Sequence, residues 1–164
     1  MIDLETKRLK FRQWMESDFT TFANYFGNEE TARYVGGKKT KEESWRLVPA
    51  YIGHYQLKGF GYMAVEDKAN SELIGCVGLW KSDPWPELEL GYWLLDGMHG
   101  KGYASEAAQR VIEFAYDALG VSTLVSYIDP VKRSFNKTAL RLGAKYEKQI
   151  ELLNFGKHNV FRYA

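Results

Sequence analysis

Glu87–Ala118, ELELGYWLLDGMHGKGYASEAAQRVIEFAYDA, places a strand, a glycine-rich turn and the start of a long amphipathic helix in immediate succession. Leu88, Leu90, Tyr92, Trp93, Leu94 and Leu95 make the first part a largely apolar strand over Glu87–Leu95. In the turn, Gly97, Gly100 and Gly102 lack a Cβ, so the chain can take positive φ and bring bare backbone close to a ligand. From near Tyr103, residues Ala104, Ala107, Ala108, Val111, Ile112, Ala115 and Leu119 follow the i, i+3, i+4, i+7 stripe of one buried helix face. Ser105, Glu106, Gln109, Arg110, Glu113 and Asp117 lie opposite. The first N–H groups of such a helix have no partner inside it and carry the positive end of its dipole, which suits phosphate oxygens. A glycine turn alone is weak evidence, since strand-to-helix connections of this kind are common.

Spacing excludes two familiar nucleotide motifs. A P-loop needs Lys followed by Ser or Thr, and Lys101 is followed by Gly102. The dinucleotide fingerprint reads G-x-G-x-x-G, whereas these glycines read G-x-x-G-x-G without an early βαβ unit around them.

Away from this segment, 164 residues with 45% hydrophobic content predict a single domain over residues 1–164 with one core. The 22 basic and 21 acidic residues balance to a formal +1, which argues against nucleic acid as the main partner. A single cysteine, Cys76, allows no internal disulfide and fits a reducing cytoplasm. The opening MIDLETKRLK alternates charge instead of forming an apolar core segment, and no apolar run reaches membrane-span length, so neither a secretory signal nor membrane insertion is expected.

In chain order, Thr6–Trp14 reads as a first strand with Leu9 and Phe11 inward and Gln13 less cleanly so. Ser17-Asp18 offers an N-cap to a helix through Phe19, Phe22, Ala23 and Phe26, stopped by Gly27-Asn28. Thr31–Lys41 reads as a mobile connection. Thr40 or Lys41 opens a second helix with Trp45, Val48 and Ile52 on one side, and Pro49 is expected to kink or divide it. Phe60–Glu66 and Glu72–Trp80 form a strand pair around the turn Asp67–Ser71, and Asp83-Pro84-Trp85-Pro86 is a loop. Gly120 stops the long helix, Ser122–Ile128 is a short strand, and Lys145–Asn154 with Lys157–Tyr163 reads as a closing hairpin.

His99-Gly100-Lys101-Gly102-Tyr103-Ala104 fits [Q/R]-x-x-G-x-[G/A] except at its first position, and so resembles the coenzyme A pyrophosphate loop of GNAT superfamily N-acetyltransferases. ELGYWL, GKGYASEAA, the opening Glu5-Thr6-Lys7-Arg8-Leu9, Gly59-Phe60-Gly61, Leu73-Ile74-Gly75, Tyr127-Ile128-Asp129-Pro130 and Leu142-Gly143-Ala144 extend the likeness over nearly the whole chain, toward the ribosomal-protein (RimJ/RimL-like) branch. The resemblance implies an α+β fold with a mixed, twisted central sheet of about seven strands flanked by helices. It also implies an acetyl-CoA-dependent transfer of acetyl to a primary amine, a peptide N-terminus or a small molecule. The expected partners are therefore acetyl-CoA and that amine acceptor, in a monomer or homodimer.

Acyl transfer to an amine needs the neutral amine. Glu89, set among apolar neighbours, is the candidate general base, since burial raises a carboxyl pKa toward the range where it takes a proton. The resemblance points to the same position; a solvent-facing residue or a buried ion pair are the alternatives. Backbone groups of Trp93, Leu94 and Leu95 are expected to pair with the pantetheine arm, where Gly91 marks a bulge that splays the strand. Main-chain amides from His99 through Gly100, Lys101, Gly102, Tyr103 and Ala104 to Ser105 are expected to hold the pyrophosphate, with the His99 side chain a rim contact. The resemblance further makes the two-helix region one wall of the acceptor cleft, with Tyr34-Val35-Gly36, Trp45, Tyr51 and Tyr55 as contacts, or simply as packing.

One block departs from the family. Asp129-Pro130-Val131-Lys132-Arg133-Ser134-Phe135 places Lys132 where a cofactor-contacting asparagine is usual, and Phe135 where a serine protonates the leaving thiolate. Ser134 or Asn136 is the substitute general acid, and Lys132 a charge partner for the cofactor. Were that chemistry lost, the chain would be a catalytically degenerate acyl-CoA-binding or regulatory module. Cys76 has no neighbouring base to make it a nucleophile, and His54, His99 and His158 show no metal-ligand spacing.

Overall fold

The computed structural model describes residues 3–164, so the parts of the leader reading that rest on Met1 and Ile2 lie outside the described residues. Thirteen elements follow in order: β1 (Leu4–Glu5), β2 (Leu9–Arg12), α1 (Phe19–Phe26), α2 (Glu29–Ala32), α3 (Lys41–Lys58), β3 (Tyr62–Asp67), β4 (Leu73–Trp80), β5 (Glu89–Leu94), α4 (Tyr103–Glu113), β6 (Val125–Ile128), α5 (Arg133–Arg141), β7 (Lys145–Glu151) and β8 (Lys157–Arg162). The strands form one mixed sheet of eight in the order β1-β2-β3-β4-β5-β6-β8-β7. Only β5 and β6 run parallel, joined by the crossover through the glycine turn and α4.

The eighth strand corrects the expected seven. Thr6–Trp14 is not one strand: Thr6 accepts from the Leu9 amide through Oγ1, and its own amide donates to the Leu9 carbonyl, closing a turn that folds Leu4 back opposite Phe11. Asp18 does not cap α1 either. Its carboxylate accepts from the Met15 amide at 2.8 Å and from both terminal nitrogens of Arg12, whose Nε donates to Glu66, so it ties a short 3-10 turn to β2 and β3. The stretch expected as a mobile connection contains the end of α2, capped by the Asn28 side chain on the Glu30 and Thr31 amides. Helix α3 opens as expected at Thr40, in a reciprocal capping box with Glu43. Pro49 does not divide it, and the helix runs through to Lys58.

Both sheet faces are covered. Alternation along β5 sends Leu90 and Tyr92 to the layer under α4, with Val111, Ala108 and Phe114. It sends Trp93 to the opposite layer with Trp14, Phe22, Phe26 and Tyr51 of α1 and α3. In that second layer Trp93 stacks on Trp14 at 5.9 Å and on Tyr25 at 4.2 Å. After Glu113 the α4 helix widens into a π turn over Phe114–Ala118, with the Leu119 amide bonding the Phe114 carbonyl at 3.1 Å. Cys76 is a buried core residue whose thiol burial pushes well above its ordinary pKa, which leaves no thiolate.

Candidate active site

Strands β5 and β6 share a single register pair, Glu89 opposite Val125. Beyond it the ladder opens, and Ser126 fills the gap with its side chain, donating Oγ to the Leu90 carbonyl at 2.7 Å. The β5 edge from Gly91 onward is therefore free of β6 while remaining fully paired to β4 on its other side. No bulge at Gly91 produces this splay, because the β4 register continues unbroken from Trp80↔Glu89 to Gly75↔Leu94. Gly91 is required for another reason: a Cβ there would stand 2.7 Å from the Tyr62 hydroxyl.

Glu89 sits at the fork, 7% exposed, on the sheet face that also carries Trp93. Its Oε1 accepts from the Trp85 indole at 3.0 Å and from the Tyr62 hydroxyl at 3.4 Å, and its Oε2 faces the Tyr127 amide at 3.4 Å. No cation pairs with it among the described residues. Burial raises its pKa to about 8, against the opposing pull of the Tyr127, Trp85 and Tyr62 hydrogen bonds. Both alternatives, an ion pair and a solvent-facing acid, are thus overturned.

Glu89 borders a cavity of about 630 Å³ walled by aromatic rings, including Tyr34, Tyr51, Tyr62, Trp80 and Trp85. Of the expected acceptor contacts, Tyr34, Val35, Gly36 and Tyr51 line it. Trp45 does not: it is 43% exposed on the outer side of α3, edge-on to Phe19 at 5.4 Å. Tyr55 packs instead against the layer beneath α4. A smaller cavity of about 290 Å³ lies between Leu94, Asp96 and His99 on one side and Tyr25, Asn28 and Thr31 on the other. Lys132 and Phe135 border both cavities.

The glycine turn has the expected form. Gly97, Gly100 and Gly102 all adopt positive φ, and Gly102, at φ 80°, is the residue from which α4 starts. The Glu106 amide is the first to bond within the helix, to the Gly102 carbonyl, so the amides of Tyr103, Ala104 and Ser105 have no helical acceptor. Side chains contribute less: Tyr103 donates its hydroxyl to Asp67 at 2.8 Å, and Lys101 is exposed. His99 reaches the rim of the smaller cavity. Arg8 pins the turn from outside, donating to the Lys101 carbonyl at 2.9 Å and to Glu106 at 2.7 Å, with its guanidinium 4.5 Å from the Tyr103 ring centre. An unpaired strand edge around Trp93, Leu94 and Leu95, leading to bare helix-end amides and flanked by a narrow cavity, fits the extended arm and diphosphate of coenzyme A.

Ser134 lines neither cavity. On α5, Lys132, Phe135 and Ala139 share the inward face, and Ser134, one residue before Phe135, is rotated outward and exposed. Asn136 is no substitute, since its amide donates to the Asp129 and Lys132 carbonyls and accepts from Asn159. Lys132 is half-buried, its ammonium 4.8 Å from the Tyr34 ring centre and 4.7 Å from that of Phe135, and burial lowers its pKa. Sequence reasoning missed Tyr62, Tyr127 and Arg8, whose roles arise from long-range packing, and also Trp85, which reaches Glu89 from four residues away. Among the described residues there is no cluster of His, Cys, Asp and Glu that could hold a metal ion.

An acetyltransferase (GNAT) domain model matches residues 8–145. The uncharacterized N-acetyltransferase YoaA of Bacillus subtilis (strain 168) is 27% identical over 147 residues, 88% of this chain and 83% of its own length. The crystal structure of an acetyltransferase from Agrobacterium tumefaciens superposes with a TM-score of 0.91 at 28% identity, covering 100% of this chain and 95% of that one. A RimL ribosomal L7/L12 α-N-protein acetyltransferase in complex with coenzyme A superposes at 0.76 with 19% identity, covering 96% and 93%, a likeness of fold alone.

Proposed function

Since the chain belongs to the acetyltransferase (GNAT) domain family and is an acetyl-CoA-dependent acetyltransferase, we propose that it acetylates a primary amine by direct attack, with Glu89 taking the proton. The observation that carries this reading is a carboxyl group without a counter-ion among the described residues, held at the fork of β5 and β6 on the wall of an open, aromatic-lined cavity. Acetyl-CoA supplies a thioester whose C–S bond is exchanged for a C–N bond, while the amine surrenders one proton to the base and the departing sulfur gains one.

The residues of this chain divide that work. The free edge of Trp93, Leu94 and Leu95 would hold the pantetheine arm, and the amides of Tyr103, Ala104 and Ser105 the diphosphate. Oε1 of Glu89 is fixed as an acceptor by Trp85, so Oε2, with its single long contact, is the atom that receives the proton. Lys132, bordering both cavities, is the cation nearest the passage between them and offsets negative charge developing on sulfur. Ser134 has no part in this assignment. The single buried cysteine suits action in the cytoplasm.

Two measurements test the proposal on the full chain. Calorimetry is expected to show acetyl-CoA binding, and thiol release is expected to depend on an added amine. Binding without amine-dependent release for any acceptor would instead identify a catalytically degenerate module.

A further inference from the structure

The cavity beside Glu89 carries an unusual charge pattern for a site that receives an amine. Its cationic lining residues are Arg33, Lys39 and Lys132; its acidic ones are Glu89 and Asp129. Two acids face three cations, and among the described residues neither acid is ion-paired with any of them. Glu89 is raised by burial to about 8 and is largely protonated at neutral pH. Asp129 turns one carboxylate oxygen to the Val131 amide at 2.9 Å, at the start of α5.

None of the three cations has an ion-pair partner among the described residues. They rest on aromatic faces instead: Arg33 lies 5.7 Å from the ring centre of Tyr34, Lys39 lies 5.8 Å from that of Phe26, and Lys132 lies between Tyr34 and Phe135. Ring faces tolerate a cation but do not neutralise it. The cavity is also bounded on its far side, because a Cβ at Gly36 would lie 3.7 Å from Phe155 of the β7–β8 turn. The chemistry of such a space is aromatic walls, three cations against the Asp129 carboxylate, and one buried acid, Glu89.

We propose that the acceptor is a compact amine bearing its own carboxylate on an apolar or aromatic body, as a free amino acid does, with Arg33 and Lys39 reading the carboxylate. This rests on the cavity being the acceptor site of the acetyl transfer described above. The aromatic walls take the apolar body, and the carboxylate is drawn to cations that have no ion-pair partner of their own among the described residues. A polyamine or an aminoglycoside would bring further ammonium groups against the same three cations, with Asp129, already bonded to the Val131 amide, as the carboxylate outside the Glu89 position to receive them.

The test compares phenylalanine, phenylalanine amide, phenethylamine, spermidine and a neutral tripeptide in thiol release with acetyl-CoA, together with tryptophan fluorescence, since Trp80, Trp85 and Trp93 line the cavity. Phenylalanine is expected to exceed its amide and phenethylamine at least tenfold in kcat/KM, and to give a saturable fluorescence change that weakens with salt. In Arg33→Gln/Lys39→Gln the KM for phenylalanine is expected to rise at least tenfold and that for the amide to stay within twofold, with acetyl-CoA affinity retained. Equal or better use of the amide, of spermidine or of the tripeptide overturns the proposal, as does the absence of a fluorescence response to phenylalanine. Failure to bind acetyl-CoA would strike the underlying assignment of the site instead.

Discussion

Trp85 donates its indole N–H to Oε1 of Glu89 across 3.0 Å, from a loop held between two prolines to the first residue of β5. That bond favours the ionised carboxylate and works against burial, which is the larger effect and sets the pKa at about 8. A base acts in its deprotonated form, so kcat/KM is expected to climb with pH and level off above about 8. In Trp85→Phe the burial remains and the donor is lost, so the carboxyl pKa rises further and the whole profile moves to higher pH. A pH profile unchanged in that variant would remove Trp85 from the positioning of the base.

Glu89→Gln keeps the shape and removes the titration. Turnover is expected to fall by roughly 10²–10⁴-fold, the usual contribution of a positioned acid or base, while the acetyl-CoA dissociation constant measured by calorimetry changes little. Stability gives an independent reading with a defined sign. The unfolded carboxyl titrates near its ordinary 4.5 and the folded one near 8, so between those values the folded state alone keeps the proton and stability falls as pH rises. Urea melts of the variant at pH 5 and pH 8 are expected to lack that component.

The unit of β5, glycine turn and α4 was largely legible in the chain itself. ELGYWL followed by three glycines and an alanine-rich helix stripe specified β5, the turn and α4, because backbone conformation and period are local properties. Glu89 stood out as the lone acid in an apolar run for the same reason. What surrounds Glu89 was not legible: Tyr62 lies 27 positions away and Tyr127 lies 38 away, and only the sheet order brings them to one carboxylate. Ser134 failed because one residue's difference in helix phase exchanges an inward ring for an outward hydroxyl. Trp45 failed because aromatic character says nothing about which helix face is open. The splay of β5 from β6 was expected, yet its cause was misplaced at Gly91, since the wedge is the Ser126 hydroxyl on the neighbouring strand.

Gly102 tests the diphosphate cradle. Its φ of 80° is left-handed, and a Cβ there would lie 3.4 Å from Nη2 of Arg8, whose Nη1 pins the turn at the Lys101 carbonyl. A branched side chain would add about 1–2 kcal/mol of backbone strain and displace the bare backbone at the start of α4. Gly102→Val is expected to weaken acetyl-CoA binding by about tenfold or more, equivalent to about 1.4 kcal/mol per decade, with a smaller effect on kcat at saturation. Retained affinity in a folded Gly102→Val protein would place the diphosphate elsewhere.

His54 is a purely structural histidine, and its pH dependence has the opposite sign to that of Glu89. Nδ1 lies 3.0 Å from the Phe60 carbonyl and Nε2 accepts from the Lys81 amide at 3.0 Å, so the ring is neutral, with the proton on Nδ1, and stacks on Trp80 at 4.0 Å. Burial lowers its pKa below the ordinary 6.5, because a second proton would cost the Lys81 bond. Below pH 6.5 the unfolded chain takes up a proton that the folded one resists, so stability is lost as pH falls. His54→Phe preserves the stacking but leaves the Phe60 carbonyl and the Lys81 amide unpaired, at about 1–3 kcal/mol for each group that water cannot reach. Denaturation of the variant is therefore expected to show a lower midpoint at pH 7.5 and, between pH 7 and pH 5, a change that lacks the loss contributed by the imidazole in the parent; the same change in variant and parent would show the imidazole to be free of this constraint.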